Sequence, residues 1–174
     1  ALGFQRGTDC WKPLIAAVNG YAVGGGFELV LGCDLVVAAE HAQFGLPEAR
    51  RGLMADGSGI HRLVRRVPYS AAMGMILSGR FIDAVEAQRI GLVNEVVPAA
   101  EFAEATHAFA QEMTAGAPVA IGVAKMMVYQ ALETSLAVHG RLDFLGQQYC
   151  FNTDDREEGI RSFLEKRPAE FKGQ

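Results

Sequence analysis

The sequence predicts an α/β protein with a parallel sheet, followed by a helical C-terminal segment. Two short apolar runs, residues 14–18 and 34–39, have the composition of buried strands. A glycine-rich turn and a short helical pattern over residues 27–33 lie between them. A strand, a helix and a second strand in this order are typical of a parallel βαβ crossover.

The remaining elements follow from the same patterns. Residues 42–45 are predicted to be extended, and residues 92–97 to form a third strand. Helices are predicted at 59–67, 70–78, 83–90 with Asp83 as N-cap, 99–114, 119–136, 139–151 and 154–166. The break at residues 116–118 divides the chain into an α/β part, residues 1–115, and a helical part, residues 116–174.

Composition excludes several classes of protein. Half of the 174 residues are hydrophobic and 21% are charged, as in ordinary globular proteins. A net charge of -4 offers no general reason for binding nucleic acid or an anionic membrane. The longest apolar runs are far shorter than the about 20 residues that cross a bilayer, and no leader pattern is present. Three cysteines without a CxxC pair indicate reduced thiols, so we expect a cytoplasmic protein without disulfides or a metal.

The strongest local feature is the turn Gly24-Gly25-Gly26 between a strand and a helix. Glycines allow a ligand to approach the backbone, and the first N–H groups of a helix attract anions. Such a turn suits a phosphate or a developing oxyanion, although a tight packing turn without a ligand explains the pattern equally well. It matches neither GxxxxGK[ST] nor, cleanly, GxGxxG.

Two acids lie near this turn in sequence. Glu28 follows the glycines by one helical turn, and Glu48 follows Pro47. Two carboxylates in different surroundings can divide acid and base work on one substrate. Each one alone has the alternative of being an ordinary solvated or paired glutamate.

Other candidates are weaker. The four histidines, His41, His61, His107 and His139, lack metal-ligand spacing. The arginines between residues 50 and 66 form either a solvated helix face or a contact for phosphates on a ligand: Arg50, Arg51, Arg62, Arg65 and Arg66. A smaller basic group, Lys166, Arg167 and Lys172, lies near the C-terminus.

Several motifs in order resemble the crotonase (enoyl-CoA hydratase/isomerase) superfamily. Residues 12–34 read KPLIAAVNGYAVGGGFELVLGCD, and residues 42–48 read AQFGLPE. Residues 153–159, TDDREEG, and 163–168, FLEKRP, match the C-terminal segment of that family. The resemblance implies a ClpP/crotonase-like ββα superhelix core with a helical C-terminal segment.

The resemblance also implies a site and an activity. The N–H of Gly25, with Gly24 beside it, would donate to the thioester oxygen of an enoyl-CoA, and Glu28 and Glu48 would hold water and move protons. Coenzyme A would be part of the substrate, with no separate cofactor and no metal, and Lys166 is a weak candidate for contacting it. The implied activity is enoyl-CoA hydratase, and the alternatives are an isomerase or other enolate-stabilising member, or a non-catalytic assembly subunit. A homotrimer or a dimer of trimers built through the C-terminal helices is expected.

Two departures from the family pattern affect these expectations. Residues 53–61 read LMADGSGIH, with Asp56 and His61 at unusual positions. In addition, the resemblance places the N-terminal third of the family, with the second oxyanion donor and much of the coenzyme A site, upstream of the quoted motifs. We therefore expect the sequence given to hold an incomplete oxyanion hole.

Overall fold

The structure, a computed structural model, describes residues 10–174. The described chain has two compact units: Leu14–Ala108, and Phe109–Gln174 together with Cys10–Pro13. The boundary that the sequence suggests at residue 115 stays a prediction. In chain order the elements up to residue 97 are β1 (Ile15–Val18), β2 (Tyr21–Val23), α1 (Gly25–Gly32), β3 (Leu35–Ala39), β4 (Gln43–Gly45), a 3-10 helix (Glu48–Arg51), α2 (Gly59–Arg66), α3 (Tyr69–Ser78), β5 (Ile82–Asp83), α4 (Ala84–Arg89) and β6 (Glu95–Val97). The helices α5 (Phe102–Met113), α6 (Pro118–Ala131), α7 (Leu136–Phe151) and α8 (Asp154–Glu165) follow.

The first sheet of the Leu14–Ala108 unit has the strand order β1-β3-β6, and all of its pairs are parallel. Ile15 pairs with Leu35, so the predicted parallel crossover between the first two apolar runs is confirmed. Four consecutive residues of β3, Val36 to Ala39, are fully buried. A strand buried on both faces has a continuous apolar sequence, which explains why the sequence predicted it.

A second sheet has the strand order β2-β4-β5, with β2 and β4 parallel and β4 and β5 antiparallel. The strands β2 and β5 were not predicted, because three and two residues are too few to show a period. Pairing with β4 brings Val23 opposite Gly45. This pairing places the glycine turn after β2 beside the segment that follows β4.

The predicted third strand is shorter than expected. Residues Leu92 and Val93 are buried, but their N–H groups donate to the carbonyl of Ala87 and close a turn after α4. Asn94 then exchanges two hydrogen bonds with Val36 of β3: its N–H donates to the Val36 carbonyl at 2.9 Å, and its Oδ1 accepts from the Val36 N–H at 2.8 Å. The strand therefore starts only at Glu95.

The core of the Leu14–Ala108 unit is one cluster of buried side chains from both sheets and from the helices. The rings of Phe27 on α1 and Phe44 on β4 are both fully buried, with their centroids 5.7 Å apart. Leu63 of α2 and Met75 of α3 are buried in the same cluster. The aromatic pair fixes α1 against β4, and these two elements carry the residues on either side of the candidate site.

The Phe109–Gln174 unit is helical, as predicted. The long predicted helix 119–136 is wrong at its C-terminal end, because α6 stops at Ala131 and α7 starts at Leu136. Leu132 and Leu136 keep the helical apolar period across the break, which hides it in the sequence. The carbonyl of Ser135 accepts the first hydrogen bonds of α7.

The last residues of the chain bind back onto α8. The buried carboxylate of Asp155 accepts the N–H groups of Lys172 and Gly173, at 2.6 and 2.8 Å. Glu158 accepts from the guanidinium of Arg167 and from the N–H of Glu170. The hydrogen bonds from Arg167, followed by the one from Glu170, lower the pKa of Glu158 to about 2.

The described residues contain neither a membrane-spanning helix nor a cluster of metal ligands. No helix within residues 10–174 has both the length and the apolar composition that a bilayer crossing requires. In the same range, no cluster of three or more His, Cys, Asp or Glu side chains could hold a metal ion. The three cysteines, at positions 10, 33 and 150, are half-buried and form no disulfide with one another.

Candidate active site

Gly24 is the residue of the glycine turn that has a positive φ. It has φ 56° and ψ -129°, a conformation that glycine adopts far more readily than any other residue. Its N–H donates to the carbonyl of Gly45 at 3.0 Å, and its carbonyl accepts the N–H of Glu28 at 3.0 Å. A Cβ placed on Gly24 would lie 3.0 Å from Oε1 of Glu48. Gly24 therefore lies beside the side chain of Glu48 and binds the backbone of Glu28.

Gly25 and Gly26 have a different role. They open α1, and neither has a positive φ, unlike Gly24. Both residues are exposed, and a Cβ on either would meet no atom within 4 Å. The N–H groups at a helix start have no carbonyl before them to accept, and they carry the positive end of the helix dipole. The turn thus offers backbone donors next to open space, as an oxyanion site requires.

Glu28 is held in place by a residue that the sequence analysis did not select. Its side chain is 5% exposed, and its Oε1 accepts the N–H of Gly59 at 2.9 Å. Gly59 is the first residue of α2, so the carboxylate lies at the positive end of that helix. A Cβ on Gly59 would come within 2.8 Å of Oε1, so any side chain at this position would displace the Glu28 carboxylate. The only sequence signal was the run Gly57-Ser58-Gly59 before a helical pattern.

Glu48 reaches the same turn from the other side. It is the first residue of the 3-10 helix that follows β4 and Pro47. Its Oε1 lies beside Gly24, while its Oε2 is buried and has no hydrogen-bond partner among the described residues. A buried oxygen without a partner is costly unless a water or a ligand satisfies it. The two acids therefore differ, since Glu28 has a backbone donor and Glu48 keeps one oxygen unpaired.

The basic residues between positions 50 and 66 divide into separate groups. Arg66 of α2 donates to the carbonyls of Cys33 and Asp34, and Arg62 donates to that of Leu31. These contacts cap the C-terminal end of α1. Arg62 and Arg66 therefore form neither a solvated helix face nor a phosphate contact, the two interpretations that the sequence offered. Arg50 and Arg51 lie instead on the 3-10 helix that begins at Glu48.

The remaining sequence candidates are Asp56, His61 and Lys166. Asp56 and His61 are exposed. Lys166 belongs to the other unit, where it is exposed and ends α8 with φ 54°. Its contact with coenzyme A stays a prediction.

Comparison with known proteins shows which family this chain is similar to. A family model described as enoyl-CoA hydratase/isomerase matches residues 3–174. A 2,3-dehydroadipyl-CoA hydratase of Escherichia coli (strain K12) is 46% identical over 166 residues, which are 93% of this chain and 64% of that protein. A mitochondrial enoyl-CoA hydratase of Pongo abelii is 41% identical over 167 residues, 96% of this chain and 58% of that protein.

A solved structure gives the same result. The crystal structure of an enoyl-CoA hydratase from Mycobacterium tuberculosis H37Rv matches with a TM-score of 0.96 and 37% identity, over 100% of this chain and 69% of that one. This likeness confirms the crotonase-like fold that the motifs implied. The chain spans less than two thirds of the length of the two curated relatives above. Sequence and structure together show that the chain belongs to the enoyl-CoA hydratase/isomerase family.

Proposed function

We propose that this protein is an enoyl-CoA hydratase, which adds water across the 2,3 double bond of an enoyl-CoA thioester. The observation that carries the proposal is the pair of glutamates at the glycine turn, one with a fixed oxygen and one with an unpaired buried oxygen. The Escherichia coli and Pongo abelii relatives are named as hydratases of CoA thioesters, which supports the same substrate class here.

The proposed chemistry assigns a task to each group. The oxygen of water bonds to C3 while a carboxylate takes one of its protons, and C2 receives a proton, so that the net change is addition of one water. Glu28 and Glu48 divide these proton transfers, because the Glu48 carboxylate lies beside Gly24 and Glu28 follows the same turn on α1. The negative charge that grows on the thioester oxygen is stabilised by the N–H of Gly25 at the start of α1.

The whole protein is expected to need residues outside those described. The family resemblance places the second oxyanion donor and much of the coenzyme A site upstream of residue 12. Removing one such donor typically costs about 2.7–4 kcal/mol of transition-state stabilisation. The proposal therefore concerns the protein with those residues, and no cofactor beyond the coenzyme A of the substrate is proposed.

The test is an absorbance assay at the enoyl-thioester band with crotonyl-CoA and longer analogues. The band should disappear as the double bond is hydrated. Glu28→Gln and Glu48→Gln should each slow the hydration rate by about 10²–10⁴-fold, as loss of a general acid or base does. Glu101→Gln, an exposed acid at the start of α5, is the matched control and should keep full activity.

Each other outcome has a clear meaning. Near-normal turnover by both glutamine variants would overturn the two-glutamate mechanism. Formation of the band from a 3-enoyl-CoA, with no hydration, would identify an isomerase instead. Binding of the acyl-CoA without any turnover by the intact protein would indicate the non-catalytic subunit.

A further inference from the structure

A pocket of about 490 Å³ opens beside the 3-10 helix that carries Glu48. Three of its six lining residues are arginines: Pro47, Arg50, Arg51, Gly79, Arg80 and Phe81. The Glu48 carboxylate is not part of its lining. The pocket therefore adjoins the candidate active site without containing its reacting groups.

The three arginines are not equivalent. The guanidinium of Arg80 makes two hydrogen bonds to Glu86, at 3.1 and 2.7 Å, and is thereby neutralised. Arg50 and Arg51 form no ion pair with any of residues 10–174. Two positive charges without a carboxylate partner thus face the same pocket.

Arg50 is held in position by the chain around it. Its Nε donates to the carbonyl of Ser78 at 2.6 Å. Its side chain crosses Gly79, where an added Cβ would lie 3.0 Å from Cγ of Arg50. Gly79 also has φ 60°, so both its conformation and this contact favour glycine. With Nε engaged, the two terminal nitrogens of Arg50 remain for a ligand.

Two connections link the pocket to the glycine turn. Arg51 is three residues after Glu48, and side chains three apart in a 3-10 helix lie on one side, about 6 Å along the axis. Phe81 packs over Gly45, whose carbonyl accepts the N–H of Gly24. The pocket is thus connected to the glycine turn through the residues around Glu48 and Gly45.

We propose that this arginine pocket binds a carboxylate at the distal end of the acyl group, so that the preferred substrate is an ω-carboxylated enoyl-CoA. Guanidinium forks match planar carboxylates with two parallel hydrogen bonds, and unpaired arginines beside a reaction site favour an anionic substrate. The inference rests on the proposed hydratase activity. A phosphate also offers oxygens that accept hydrogen bonds from guanidinium groups. The experiment therefore tests a carboxylate and a phosphate separately.

The experiment compares two six-carbon 2-enoyl-CoA substrates that differ only in a carboxylate at the distal carbon. The wild-type protein should have the higher kcat/KM for the carboxylated one, and added salt should reduce the difference. Arg51→Gln should lower that kcat/KM about 10-fold or more, mainly through KM, and should leave the uncharged substrate unaffected. Arg65→Gln, an exposed arginine of α2 outside the pocket, is the matched control.

Equal kcat/KM values for the two substrates, or equal effects of Arg51→Gln on both, would overturn the inference. A second arm measures thermal shifts with adipate and with inorganic phosphate. An Arg51-dependent shift with adipate supports the proposal, whereas a shift with phosphate alone overturns it. If neither substrate is hydrated, the proposed function fails, and the adipate arm still decides for or against the pocket.

Discussion

Gly24 and Gly25 are neighbours, but a side chain would affect them in different ways. At Gly24 it would meet Glu48 and a positive φ, whereas at Gly25 it would enter open space with an ordinary helical backbone. A methyl group at Gly25 therefore reports on the space that a ligand occupies. A substitution at Gly24 should therefore affect folding, whereas a substitution at Gly25 should affect mainly catalysis.

Gly25→Ala should lower kcat/KM for hydration by about tenfold or more while the melting temperature hardly changes. The physical reason is that the added methyl crowds the thioester oxygen where negative charge develops in the transition state. Kinetics and a thermal melt on the same preparation check this. Gly74→Ala is the matched control, since Gly74 is also helical with nothing within 4 Å of an added Cβ. If Gly25→Ala loses stability and activity to the same extent, the glycine turn serves packing and the prediction is wrong.

At the scale of elements, α2 begins from a strained residue. Ser58 precedes Gly59 with φ 76° and ψ 11°, a left-handed conformation that is unfavourable for residues other than glycine. The strain lies next to the N–H that holds Glu28. The start of α2 therefore combines a conformational cost with a position at the candidate site.

Ser58→Gly should raise the free energy of unfolding by about 1 kcal/mol, because glycine adopts this conformation without the steric penalty. Denaturant titration measures the change. Ser70→Gly provides the comparison, since Ser70 lies in the first turn of α3, where glycine should be destabilising. A lower unfolding free energy for Ser58→Gly would show that the serine contributes more than its strain costs.

The contact between α8 and the end of the chain should be sensitive to acid. The pKa of Glu158 is lowered from 4.5 to about 2 in the folded protein, first by hydrogen bonds from Arg167. A group whose pKa falls on folding stabilises the protein above its unfolded pKa and loses that contribution as pH falls towards the folded value. Stability should therefore decrease between about pH 4.5 and pH 2.

Melting temperatures across this pH range test the contact. Glu158→Gln should melt lower than wild type at pH 7 and should lose less on acidification. Glu112→Gln, an exposed acid of α5, is the comparison and should keep the wild-type acid sensitivity. An unchanged acid profile in Glu158→Gln would contradict the assignment.

At the scale of the whole molecule, α7 has an apolar stripe that its own unit leaves exposed. Val138, Leu145 and Tyr149 lie on one face of α7, with 48%, 62% and 65% of their surfaces exposed. Exposed apolar surface of this kind usually marks an interface. It supports the proposal of a homotrimer or a dimer of trimers built through these helices.

Light scattering at micromolar concentration should give the mass of a trimer or hexamer. Leu145→Lys should reduce the measured mass, because the substitution places a charge in the apolar stripe. Gln147→Lys introduces the same charge on the opposite face of α7 and should leave the mass unchanged. A monomer for the wild-type protein would contradict the proposal.

The sequence alone determined the parts of this protein that depend on local patterns. A strand such as β3, buried on both faces, must be continuously apolar, and Asp83 accepts the N–H of Glu86 as an N-cap does. The glycine turn and the two acids were also visible, because few residue types serve that chemistry. The ordered motifs indicated the family that the comparisons then confirmed.

Only the tertiary structure decided which of these residues meet and what holds them. Gly59 binds Glu28 across 31 positions of sequence, and Arg66 caps α1 across a similar separation. Gly24 meets Glu48 because β2 pairs with β4, although three-residue strands have no detectable pattern. Such contacts depend on the packing of whole elements, whereas propensity and periodicity act over a few residues, so no local pattern could reveal them.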